Sequence, residues 1–162
     1  MTKRLTHELT YDAPADAVAA MLADPAFREE VCDVQGVLRR TVTVDGDAAS
    51  GAMDVTVDQV QAADGIPSFA KKFVGDEINI VQQETWTSPT QGDITVTIPG
   101  KPGEMSGTVR LTESGGTTTE TVALDIRVGI PLVGGKIEGL ISDLLLKALK
   151  AENRVGRDYL SR

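Results

Sequence analysis

An α+β fold, with an antiparallel sheet of about seven strands laid against one long C-terminal helix, is predicted by three observations. Apolar and polar residues alternate with period two in runs from about residue 38 to 129, separated by Gly, Asp, Pro and Ser clusters. A stripe at spacings of three and four, Ile137, Leu140, Ile141, Leu144, Ala148, Ala151, Val155 and Tyr159, runs through the strand-free segment from Leu132 to Leu160. Two short amphipathic segments separate a lone first strand from the meander, which sets the order as β-α-α-β6-α.

The first strand is Arg4 to Tyr11, with Leu5, His7, Leu9 and Tyr11 on one face. The first short helix opens at Asp12-Ala13-Pro14, with Asp12 placed as N-cap, and carries Val18, Met21 and Leu22; the second follows Asp24-Pro25 and carries Phe27 and Val31. Turns are expected at Asp45-Gly46-Asp47, Ser88 to Gly92, Pro99 to Gly103 and Ser114-Gly115-Gly116, residues that tolerate tight or left-handed backbone. A further short helix falls near residues 67–74, where Phe69, Ala70, Phe73 and Val74 have helical spacing. These two aromatics can form a lid over a pocket mouth or cap the core, and their spacing favours the core.

A chain of 162 residues is about one domain long, and no linker or repeat divides it, so residues 1–162 are expected to form a single domain. The net charge is −8 and no Lys/Arg cluster exceeds short pairs such as Arg39-Arg40, which disfavours a nucleic-acid partner. No run approaches the roughly 18 apolar residues of a membrane span and no apolar leader opens the chain. Cys32 is the only cysteine, so no internal disulfide forms. A cytoplasmic protein without stable membrane insertion is expected.

Val128 to Gly139, V-G-I-P-L-V-G-G-K-I-E-G, imitates a phosphate loop. Aligned on Gly135-Lys136, the Walker pattern fails twice, with Ile130 in place of its first glycine and Ile137 in place of the Ser/Thr. No G-x-G-x-x-G window is present either. The segment reads instead as a strand-to-helix corner, in which Pro131 ends the last strand, Gly134 and Gly135 turn the backbone, and the helix starts near Lys136.

The chain resembles the helix-grip fold of the START-like superfamily, that of polyketide cyclases and birch-pollen-allergen-like proteins, and within it a bacterial family of unknown function. The resemblance rests on H-E-L-T-Y-D-A-P-A-D-A-V at the start, I-P-S-F-A-K-K-F-V-G before the Trp-bearing strand, and I-P-L-V-G-G-K-I-E at the start of the last helix. It implies a curved sheet wrapped around the C-terminal helix, with a cavity between them for an apolar small molecule such as a lipid, sterol, quinone or polyketide-like compound. An interior with aromatics at only 4% of the chain is compatible with such a cavity.

Inside that cavity, Ile137, Ile141, Leu144 and Leu145 are expected to form the helix wall and Ile80, Val96, Val109 and Leu124 the sheet wall, with Trp86 beside them. His7, Gln82 and Glu84 break the inward aliphatic parity, so each needs a hydrogen-bond partner, water or a ligand. Binding or carriage of an apolar molecule is the leading functional expectation, without a cofactor. A pocket enzyme of cyclase or hydrolase type using His7 and Glu84 is the alternative, and a protein-interaction module with a filled core is the third. The single His and single Cys cannot assemble a zinc site, Asp45-Gly46-Asp47 lacks the further ligands of a calcium loop, and no serine occupies a nucleophile elbow.

Overall fold

A computed structural model describes residues 2–47 and 49–162. The elements follow the expected order: β1 (Thr2–Tyr11), α1 (Ala15–Leu22), α2 (Pro25–Val34), β2 (Arg39–Asp47), β3 (Ala52–Ala62), α3 (Ser68–Val74), β4 (Glu77–Ser88), β5 (Gln91–Thr97), β6 (Glu104–Ser114), β7 (Thr117–Arg127) and α4 (Gly134–Leu160). The seven strands form one curved antiparallel sheet in the order β1-β7-β6-β5-β4-β3-β2. Successive strands are neighbours except for β1, which closes on β7 with Leu5 opposite Leu124 and His7 opposite Val122.

Period-two burial is visible in most strands. In β3, Met53, Val55, Val57 and Gln59 face the interior while Asp54 and Asp58 face solvent. Strand β4 turns Ile78, Glu84 and Trp86 inward, and β7 turns Thr118, Glu120, Val122, Leu124 and Ile126 inward. Helix α4 lies on β1 and β7 and meets α1 and α2 along its other flank. Phe27 of α2, fully buried, meets the Tyr159 ring edge-on at 5.6 Å between centroids. Asp24 joins the same two helices: one carboxylate oxygen caps Ala26 N–H at 2.9 Å and the other accepts from Tyr159 Oη at 2.6 Å. Phe69 and Phe73 are half-buried and pack against the core.

Three local expectations are corrected. Pro14, not Asp12, stands at the N-cap of α1, and the Ala15 N–H donates to Glu113 Oε1 of β6 at 2.6 Å, so a distant carboxylate replaces the local cap. Strand β2 continues through Asp45-Gly46-Asp47, and the turn follows it, with the Ser50 N–H donating to Asp47 Oδ1 at 2.7 Å. Ala48 lies outside the described residues.

The corner after β7 is also built differently. The strand ends at Arg127, four residues before Pro131, and the helix has already begun at Gly134. The left-handed residue is the fully exposed Leu132, with φ of 73°, rather than either glycine. What holds the corner is Glu138, buried in the first turns of α4, whose Oε2 accepts the Val128 N–H at 2.8 Å. Gly134 is needed for closeness: a Cβ there would sit 2.5 Å from the Val128 carbonyl oxygen. Gly134→Ala should therefore lower unfolding free energy by about 1–3 kcal/mol in urea titrations, and an unchanged midpoint would show that the corner can open without loss.

Candidate functional site

Four charged side chains from four elements converge in the interior. Alternation along β4 places Gln82, Glu84 and Trp86 on the inner face, and alternation along β7 does the same for Glu120. Glu152 lies one turn beyond Ala148 on the inner flank of α4, and Arg28 follows the buried Phe27 on α2. Each of the four is at least nine-tenths buried: Arg28 is 4% exposed, Glu84 4%, Glu120 3% and Glu152 9%. Charged groups are almost never buried to this extent without partners.

Arg28 and Glu84 satisfy each other. Arg28 Nη1 donates to Glu84 Oε2 at 2.7 Å and Nη2 to Glu84 Oε1 at 2.9 Å, while Nε donates to the Leu22 carbonyl at 2.9 Å. Gln82 Nε2 donates to the same Oε2 at 2.6 Å and Trp86 Nε1 to the same Oε1 at 2.9 Å. Both oxygens of Glu84 thus accept twice, which fills the capacity of a carboxylate. Burial alone would raise Glu84, but the Arg28 charge and these donors outweigh it and hold the carboxyl below the usual range. Burial likewise opposes the Arg28 charge, and the Glu84 carboxylate keeps the guanidinium protonated.

The other two carboxyls are poorly matched. Glu152 Oε1 is 3.9 Å from Arg28 Nη1, an ion pair without hydrogen-bond geometry. Burial pushes Glu152 up to about 7, with Arg28 pulling it down and Glu84 adding to the rise. Glu120 is raised well above the carboxylate range, first by burial and then by the Glu152 and Glu84 charges. Glu120 Oε1 has no hydrogen-bond partner, and neither has the buried Tyr11 hydroxyl on β1. Burial raises Tyr11, and Glu152 and Glu120 raise it further.

Arg28, Gln82, Glu84, Glu120 and Glu152 line a cavity of about 70 Å³ between the sheet and α4. Val57, Ile94, Val96, Val109, Val122 and Leu124 give it an aliphatic floor, and Leu145, Ala148 and Leu149 of α4 roof it. Its half-buried rim includes Val31 and Gln35 of α2. Cys32 also lines it, and burial pushes its thiol up to about 11, which keeps it a thiol at neutral pH. Among the described residues no group of three or more His, Cys, Asp or Glu is placed to hold a metal ion, and no helix is long and apolar enough to cross a membrane.

Residues 6–160 match the family described as Protein of unknown function (DUF2505). The chain belongs to this family. Uncharacterized proteins of Mycobacterium bovis and Mycobacterium tuberculosis are each 30% identical over 122 residues, covering 70% of this chain and 70% of theirs. Among solved structures, a Thermus thermophilus protein, TTHA0849, superposes with a TM-score of 0.67 at 16% identity, covering 98% of this chain and 97% of its own. Norcoclaurine synthase from Thalictrum flavum superposes with a TM-score of 0.63 at 16% identity, covering 100% and 88%. At these identities the likeness establishes the START-like helix-grip fold, which the DUF2505 chain shares, and nothing about its chemistry.

Of the residues expected at the site, Gln82, Glu84, Val96, Val109, Leu124 and Leu145 line the cavity. Ile137 and Ile141 are buried against the sheet, and Ile80 is half-buried, but none of them lines it. Leu144 is corrected outright: it is 41% exposed although Ile137 and Ala151, seven residues before and after it on the same face of α4, are buried, so the helix is left uncovered at that level. His7 faces the side that α4 covers yet is only half-buried and lies outside the cavity, since α4 rests directly on β1. His7 and Glu84 sit four strands apart in the sheet and form no pair. Trp86 packs its ring on Gly92, where a Cβ would come within 2.8 Å of it, and reaches the site only through its N–H to Glu84.

Arg28, Glu120 and Glu152 are the charged site residues absent from the expected set, and Val57, Ile94, Val122, Ala148 and Leu149 are apolar ones. Glu120 carried a signal of the same kind as Glu84, a carboxyl interrupting an inward apolar parity. Glu152 sits between Ala151 and Val155 within the helical stripe.

Two outcomes test the electrostatics. Arg28→Met strands Glu84 and should cost about 3–5 kcal/mol, with much of it recovered by adding Glu84→Gln; additive losses in urea unfolding would refute the pairing. Glu152 is raised from its ordinary 4.5 to about 7, so the folded chain holds the extra proton across that window and stability falls as pH rises through it. Glu84, which is lowered, titrates below this window and is unchanged between the two proteins. Glu152→Gln should be about 1–3 kcal/mol more stable than the parent at about pH 8 and nearly equal to it at about pH 4.5.

Proposed function

We propose that this domain binds a compact amphipathic molecule between the sheet and α4, its apolar part on the aliphatic floor and its polar part against Glu120 and Glu152. The observation that carries this reading is the unpartnered Glu120 Oε1 in the wall of a cavity, a state that costs free energy unless something else completes it. A filled-core interaction module offers no use for such a wall.

Volume limits the ligand. Pockets for drug-sized molecules measure roughly 300–1,000 Å³, against about 70 Å³ here. A whole sterol or quinone would have to displace α4 or the α2 rim, so the small volume favours a short apolar chain over the larger lipids that the fold suggests. The polar wall also departs from a purely apolar carrier.

A second reading, a pocket enzyme, has one observation in its favour. Burial raises Glu120 well above the carboxylate range and raises Glu152 to about 7, and carboxyls raised toward neutrality suit acid and base work there. In that reading the acid/base pair is Glu120 and Glu152, and Glu84 is a structural carboxylate.

Native mass spectrometry of protein purified from its own cells should show a small organic adduct that is lost on denaturation. Ala148→Trp, which places an indole at the cavity roof, should abolish the adduct at a cost of about 1–3 kcal/mol in unfolding free energy, leaving the chain folded. An adduct retained in that folded variant would put the ligand elsewhere.

A further inference from the structure

The chemical class of the ligand's polar group can be read from the unfilled acceptors around the cavity, on the reading that this cavity is a binding site. Its lining holds one guanidinium and three carboxyls. Glu84 neutralises the guanidinium: each Nη donates one N–H to it, Nε donates to the Leu22 carbonyl, and both Glu84 oxygens are saturated. That leaves Glu152, with only the 3.9 Å approach to Arg28, and Glu120, with an oxygen that nothing meets. Among the described residues, no second Lys, Arg or His lines the cavity. The surplus is in acceptors, and in negative charge once these two carboxyls ionise.

Three ligand groups can be compared against this wall. An anion would add charge of the sign already in excess. A neutral hydroxyl brings one donor and no charge. A primary ammonium brings three donors and the missing positive charge in the smallest volume, whereas a guanidinium is larger and planar. The rest of the lining, Val57, Val96, Val109, Val122 and Leu124, suits only apolar carbon.

We infer that the cavity takes the primary ammonium group of a small aliphatic amine, with Glu120 and Glu152 as its acceptors. The acceptors face other titratable groups from every element around them: Arg28 and Cys32 on α2, Glu84 on β4 and Tyr11 on β1. Of these, Arg28 is the only cation and is already neutralised. Entry of an ammonium ion favours ionised carboxylates, so amine binding below neutrality releases protons. Affinity climbs as pH rises through the range where Glu152 ionises and goes on climbing above it, because Glu120, also raised, must give up its proton to an alkyl ammonium that stays charged to about pH 10.

Trp86 is the only tryptophan and donates to Glu84 at the cavity edge, so its fluorescence reports occupancy. Titration with n-hexylammonium, hexanol and hexanoate should give the amine at least about tenfold tighter binding than the alcohol at about pH 8, and no binding of hexanoate. That preference should shrink by about tenfold at about pH 6. Calorimetry in buffers of different ionisation heat should register the released proton. Glu120→Gln and Glu152→Gln, isosteric and neutral, should each weaken the amine by about tenfold and leave hexanol unchanged, and Glu152→Gln should flatten the pH profile.

Equal binding of amine and alcohol overturns the amine inference while the pocket reading stands. Saturable binding of none of the three probes overturns both. Amine preference that survives in both folded variants places the ammonium site elsewhere and also overturns the inference. Should a variant fail to fold, the amine-to-alcohol ratio and pH profile of the parent protein still decide.

Discussion

The bidentate pair between Arg28 and Glu84 is the contact on which the interior depends. It links α2, a ten-residue helix, to the middle of the sheet across 56 positions of sequence. Two charges at 4% exposure carry a desolvation cost of several kcal/mol each, and only the completeness of the arrangement offsets it. Leu22, Gln82 and Trp86 each supply one contact to that arrangement. The neighbouring carboxyls inherit the consequence. With Arg28 already neutralised, Glu120 and Glu152 find too little positive charge in a low dielectric and move toward their protonated forms.

The cavity follows from composition and from this cluster together. Six aromatic residues serve a chain of 162, and several are committed elsewhere: Phe27 to Tyr159, Trp86 to Gly92 and Glu84, Phe69 and Phe73 to the periphery. The space between sheet and α4 is left to Val, Ile, Leu and Ala, which do not reach across it where the polar side chains stand. An apolar replacement of the cluster would pack better and fold more stably, so the polar arrangement is costly in stability alone.

Much of the architecture was legible in the sequence because it is written in local periodicity. Alternation marked the strands, the stripe from Ile137 marked α4, and Asp24-Pro25 marked the start of α2. What escaped was set by contacts distant along the chain. The α1 cap is Glu113, 98 residues from Ala15, and no local pattern announces it. Glu84 stood out by parity, but its partner did not, because an arginine on a short amphipathic helix ordinarily faces water. His7 shares a face with Leu5, Leu9 and Tyr11 yet lies outside the cavity, since alternation gives the face of a strand and not what covers it.

The corner at Val128 to Gly139 shows how one buried polar contact reaches the site. Its glycines suggested phosphate chemistry, yet the residue that matters is Glu138, which draws the start of α4 onto the end of β7 through Val128 N–H. Anchoring Glu138 inward, beside Ile137 and Ile141, sets the rotation of the helix. That rotation brings Leu145, Ala148 and Glu152, each three or four residues apart, over the aliphatic floor. The acidic wall of the cavity is thus aligned by a carboxylate at the opposite end of the same helix. A helix turned away from this setting would carry Glu152 from Arg28, leaving the guanidinium with Glu84 alone and the cavity without one of its two free acceptors.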